Sequence, residues 1–154
     1  MNGNDNVLMN EQAIYPKVRG IARVALGAAL VFAGTAHLTV ARKTFRAQVP
    51  EFVPLDPDTT VVASGVAEIM LGSSIATAQG SRARRVGVLA ALFFAAVFPG
   101  NLSQYVHRRD GFGLDTDRKR LVRLFFQPLL IAWALWSTRS ARVVHAGEYK
   151  KEKS

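Results

Sequence analysis

The chain has 154 residues, 49% hydrophobic and 20% charged, with a formal charge of +9 and no cysteine. The lack of thiols excludes a disulfide framework, a thiolate zinc site and a CxxC redox centre, and with them the dithiol chemistry of four-helix membrane quinone reductases. The basic residues flank long apolar runs without a basic-aromatic stacking surface, so nucleic acid is not an expected partner and membrane lipid headgroups are the expected counter-charge.

Residues 1–19 are polar, lack the apolar core of a signal peptide and read as a cytoplasmic N-terminus. Four apolar runs follow, at about 21–40, 59–78, 86–106 and 121–137. Each approaches the ~20 residues that a helix needs to cross the hydrocarbon layer. The fourth is the shortest, and Arg139 and Arg142 can extend it by snorkelling. The pattern predicts an all-α membrane protein, a four-helix transmembrane bundle occupying residues 20–138. A basic cytoplasmic tail, 139–154, completes the chain.

The connection after the first run carries Arg42, Lys43 and Arg46, then Val49-Pro50-Glu51-Phe52-Val53-Pro54-Leu55-Asp56-Pro57. Its prolines forbid a continuous helix, and its apolar side chains suit a Pro-rich segment lying at the interface. Asp56-Pro57 is a helix start, with Asp as cap and Pro at the first helical position. Residues 79–85 read as a short basic loop. The third connection, about 107–120, is polar, with Gly111 and Gly113 as breakers and Thr116 or Asp117 as the next cap. Basic residues divide 11 against 9 between the two sides. The acid-free stretch at 82–85 tips the balance toward cytoplasmic termini and a multi-pass protein of the inner (plasma) membrane.

Each run carries one strongly polar residue: His37, Glu68, Asn101 and Gln127. Counted from the nearer end of its run, these lie at depths of ~5, ~13, ~8 and ~9 Å, all in the half of the bilayer away from 82–85. Glu68 is the costliest, at least ~3 kcal/mol on insertion scales. Facing agrees with depth. Gly27, Leu30, Gly34 and His37 share one helix face, and Gly65, Glu68 and Gly72 share another, with small residues marking close helix contact. Ala90, Phe94, Val97 and Asn101 form a third stripe; Arg123, Gln127, Leu130 and Ala134 form a fourth. Pro99 frees the Ala95 carbonyl and predicts a kink beside Asn101. The expected site is an outward-opening polar pocket of His37, Glu68, Asn101 and Gln127 with Arg123 at its rim. Each member also has a structural reading: an interfacial histidine, backbone repair beside Pro99, helix–helix glue, a snorkelling arginine, a neutral hydrogen-bonded carboxyl.

These residues also carry a resemblance. Phe32-Ala33-Gly34-Thr35-Ala36-His37, Val49-Pro50-Glu51-Phe52-Val53-Pro54, Ser64-Gly65-Val66-Ala67-Glu68-Ile69-Met70-Leu71-Gly72, Phe98-Pro99-Gly100-Asn101 and Arg123-Leu124-Phe125-Phe126-Gln127 occur in that order. Over about residues 20–137 the chain resembles the DoxX-like family of small bacterial membrane proteins. Gly100 departs from the usual Phe-Pro-Ala-Asn. The resemblance implies four helices with both ends cytoplasmic, and a distant link to the membrane subunit of a thiosulfate:quinone oxidoreductase. The expected function is binding of a quinone or other small molecule as an accessory component of a membrane redox system. His37, Asn101 and Gln127 would donate hydrogen bonds and Glu68 would carry protons. With no haem, flavin or thiol motif, the chain is not expected to be catalytic alone and needs a redox partner protein. The alternative is a non-enzymatic partner or assembly factor for another membrane protein, or a homo-oligomer. A proton-coupled carrier ranks below both, because no inverted repeat is visible. Two ligands, His37 and Glu68, are too few to argue a metal.

Overall fold

Apolar runs bounded by caps and prolines leave this chain little alternative to helix. A computed structural model describes residues 3–46, 48–109 and 115–139, with side chains from residue 14 onward. Five helices follow in order: α1 (Gly3–Leu38), α2 (Arg42–Arg46), α3 (Pro57–Thr77), α4 (Gly80–Val106) and α5 (Asp117–Ser137). There is no strand among the described residues. Three stretches are long and apolar enough to cross a membrane: Ile14–Leu38, Pro57–Thr77 and Gly80–Val106. The protein is an all-helical membrane protein. The fourth expected run lies within α5, whose first turns carry Asp117, Arg118, Lys119, Arg120 and Arg123.

Local chemistry sets the boundaries. Asp56 Oδ2 accepts from the backbone N–H groups of Asp58 and Thr59, and Pro57 takes the first helical position of α3. Of the two candidates for capping α5, the Thr116 side chain is the cap, accepting from Lys119 N–H. Two expectations change. The polar stretch at 3–19 is the start of α1, and Pro16 lies within the helix. The basic stretch at 80–85 is not a loop. Gly80 takes the turn at φ +54°, a conformation open to glycine, and Ser81 onward contains no proline until Pro99. Ala78 and Gln79 alone join α3 to α4. Helix α4 continues through Pro99. Gly111, Gly113, Arg142 and the lysine-rich tail lie outside the described residues.

The long helices pack chiefly as α1 on α3 and α4 on α5. The first seam is built on glycine. A Cβ on Gly27 would sit 2.6 Å from the Gly72 carbonyl oxygen, and one on Gly34 would sit 2.5 Å from that of Gly65. These pairs make α1 and α3 antiparallel with backbones in contact, the close approach that small residues permit in lipid. Leu26, Leu30, Ile75, Ala90, Phe94 and Ala134 fill the core between the pairs. Large apolar side chains face outward instead: Phe32 on α1 is 78% exposed, Met70 on α3 65% and Leu92 on α4 61%. That inverted pattern is costly in water and ordinary in lipid.

Candidate functional site

Gly27 and Gly34 stand seven residues apart on α1, and the α1–α3 seam they set up ends in a polar contact. Gly65 leaves the room that His37 needs: a Cβ there would meet His37 Cβ at 2.9 Å. One turn further along α3, the Glu68 stem packs on Gly34. Its Oε2 lies 2.8 Å from His37 Nδ1, with both side chains about nine-tenths buried. His37 Nδ1 is also 2.9 Å from the Ala33 carbonyl. Two acceptors at Nδ1 place the imidazole proton on that nitrogen. The N–H is aligned on Ala33, so Glu68 Oε2 has the proximity of an ion pair without hydrogen-bond alignment, and it has no hydrogen-bond partner among the described residues. The Phe45 ring from α2 stacks on His37 with centroids 3.3 Å apart and planes at 22°.

A second polar group joins α4 to α5. Gln127 Nε2 donates to the Phe94 carbonyl at 2.6 Å, and Asn101 Nδ2 donates to Gln127 Oε1 at 2.9 Å. One turn nearer the membrane surface, Arg123 Nη1 donates to Gln104 Oε1 at 2.8 Å and to Gln48 Oε1 at 3.0 Å. Gln104 Nε2 in turn donates to the Arg109 carbonyl. Asn101–Gln127 and Gln104–Arg123 are thus successive rungs between antiparallel helices. The Asn101 amide, whose structural reading is backbone repair beside Pro99, donates to the Gln127 side chain, and the Gln127 amide reaches the Phe94 carbonyl as a bond between helices.

The connection between α1 and α3 roofs both groups. Arg42 forms a forked pair with Asp58, and Arg46 Nε lies 3.7 Å from the same carboxylate. Arg109 donates to the Val49 carbonyl and to Glu51. Gln48 and Pro50 are buried, while Phe52 and Leu55 are exposed. Among the described residues no three of His, Cys, Asp and Glu gather as metal ligands.

All five expected site residues therefore lie at one end of the helices, in two groups. His37 and Glu68 touch, Asn101 and Gln127 touch, and Arg123 stands between them, bonded on the α4 side and within reach of the Glu68 charge. Gln104, fully buried, continues the Asn101 face three residues on, a spacing that could have revealed it. Gln48 sits in the connection, where no periodicity marks it. Residues 26–138 match the family described as Domain of unknown function (DUF8561). The chain belongs to that family. The DUF8561 match spans every residue of the two polar groups and leaves out residues 3–25 of α1, nearly its first two thirds. No curated protein and no solved structure matches the chain.

Proposed function

We propose that this protein is a four-helix transmembrane bundle of the DoxX-like kind, in a bacterial inner membrane with both termini cytoplasmic. In it, His37 and Glu68 form the working part of a binding site for a small hydrogen-bonding molecule, a quinone headgroup by preference. The outward-facing apolar side chains of α5 support a fourth crossing, with Phe125, Phe126 and Leu129 all more than half exposed. The basic first turns of α5 then sit at the headgroups, where Arg118 and Lys119 snorkel.

The single observation that carries the binding reading is Glu68 Oε2, buried in the bundle beside an N–H that is aligned elsewhere. Buried polar atoms are ordinarily satisfied, and an unsatisfied carboxylate oxygen inside a membrane helix is a site by default. A ligand hydroxyl, such as that of a reduced quinone, would donate to it, and His37 would exchange the proton. The chain supplies no electron carrier, so its role is that of an accessory component beside a redox partner.

A second reading rests on a different observation. Gln127, Asn101, Gln104 and Arg123 bond to one another across α4 and α5, as a purely structural clamp would. On that reading the protein is a non-enzymatic partner or assembly factor. Organic extraction and native mass spectrometry of purified protein separate the two. Quinone recovered with the wild type and depleted in Glu68→Gln and His37→Ala is the expected result. Equal recovery in well-folded variants, or a stably bound protein in place of any small molecule, overturns the binding reading.

A further inference from the structure

The opposite end of the bundle, where α1 enters and α5 leaves, has a different chemistry. Arg19 Nε donates to the Trp136 carbonyl at 3.2 Å, and Trp133 Nε1 donates to the Ala22 carbonyl at 3.0 Å. Between these bonds runs a shallow apolar groove of about 410 Å³, lined by Ala22, Ala132, Trp133 and Trp136. Arg19 and Arg23 stand one helical turn apart on α1 beside it. Arg19 Nη2 and Arg23 Nε are enclosed and have no hydrogen-bond partner among the described residues. The Arg23 side chain makes no hydrogen bond or ion pair among them. Both lie inside the membrane-length stretch Ile14–Leu38.

The two ends differ in their acids as well. At the polar-ladder end Arg42, Arg46, Arg108, Arg109, Lys119 and Arg120 are all paired with carboxylates. At the groove end stand Arg19, Arg23, Arg82, Arg84, Arg85 and Arg139, and no carboxylate among the side chains described from residue 14 onward is there to meet them. A guanidinium N–H enclosed without an acceptor is costly, and the cost falls when an anion arrives. Phosphate oxygens match the guanidinium fork, tryptophan favours the headgroup level, and a basic pocket between membrane helices suits an anionic headgroup.

We infer that the groove between α1 and α5 holds one anionic phospholipid, its phosphate on Arg19 and Arg23 and an acyl chain along Ala22, Ala132, Trp133 and Trp136. Both arginines are only half-buried, so a phosphate reaches them without repacking the helices. A membrane protein meets such lipids at high local concentration, and the apolar floor has no use for a soluble anion. The site is separate from the His37–Glu68 pair and stands or falls independently of it.

The chain's two tryptophans are Trp133 and Trp136, so intrinsic fluorescence reports on the groove alone. Detergent-purified full chain is titrated with phosphatidylglycerol or phosphatidylcholine carrying brominated acyl chains. Quenching by the anionic lipid is expected at far lower concentration, by roughly fivefold for each arginine engaged. The preference should vanish in Arg19→Gln/Arg23→Gln, persist in part in Arg23→Lys, and survive in Arg84→Gln/Arg85→Gln. If the double variant does not fold, Arg23→Gln carries the test alone, because Arg23 bonds to nothing that the substitution would break. Equal quenching by the two lipids in the wild type, a preference that Arg23→Gln leaves undiminished, or displacement of the lipid by millimolar inorganic phosphate would each overturn the proposal.

Discussion

The α1–α3 seam and the α4–α5 seam solve the same packing problem by opposite means. Between α1 and α3, backbone lies against backbone at Gly27–Gly72 and Gly34–Gly65. Between α4 and α5, amide and guanidinium side chains bridge the gap in rungs. In lipid no hydrophobic force drives helices together, so contact area and interhelical hydrogen bonds are what remain. The difference separates structure from chemistry. Polar groups on α4 and α5 are largely consumed by each other. Those on α1 and α3 are pressed together by glycine contacts and left with an unmatched carboxylate oxygen. On the proposed function, the site for an incoming molecule is on the α1–α3 seam.

The sharpest way to break this contrast is to fill the glycine seam. Gly34→Leu should abolish folded protein. Gly34→Ala, whose Cβ would meet the Gly65 carbonyl, should cost about 1–3 kcal/mol, seen as a lower Tm in detergent. Gly20→Ala and Gly100→Ala, with nothing within 4 Å, should stay within about 0.5 kcal/mol of wild type. Equal losses at all these positions would dissolve the seam. Next in size, Gln127→Leu removes the bonds to the Asn101 amide and to the Phe94 carbonyl. It should cost about 1 kcal/mol, the ordinary scale of such bonds in membranes. Pairing it with Asn101→Leu in a double-mutant cycle should recover part of that as coupling.

The smallest effect lies outside the membrane. A hydrogen bond from Lys119 holds the Asp115 carboxyl below its ordinary value of 3.8. A depressed folded-state value means stability that is present above the unfolded value and lost as pH falls through the folded one. Asp115→Asn should therefore lower Tm slightly at neutral pH, and the difference from wild type should close below about pH 3.8. A difference that widened in acid would contradict the pairing.

Much of this was legible in residue spacing. Glycines at 27, 34, 65 and 72 announce a close seam because only one residue type permits backbone contact. Those glycines fix the register that brings His37 to Glu68. Gln127 and Asn101 fall on the buried stripes of their helices for the same periodic reason. The failures have physical causes too. Residues 79–85 read as a loop because a basic run interrupts two apolar ones, yet arginine is a good helix former once a glycine has made the turn. Gln48 is invisible because an irregular connection has no period to read. The bond from Gln127 to the Phe94 carbonyl depends on the offset of α5 against α4, which involves packing such as Gly87 against Thr138 and is written in neither helix alone.

The account's central claim is that chemistry resides on one seam and structural polarity on the other. Equilibrium binding of a short-chain benzoquinone, measured beside Tm on Glu68→Gln and Gln127→Leu, tests it most directly. Glu68→Gln should lose about tenfold or more in affinity, the scale of one charged hydrogen bond, and keep its Tm. Gln127→Leu should lose Tm and keep its affinity. Affinity lost in Gln127→Leu and retained in Glu68→Gln would contradict the assignment.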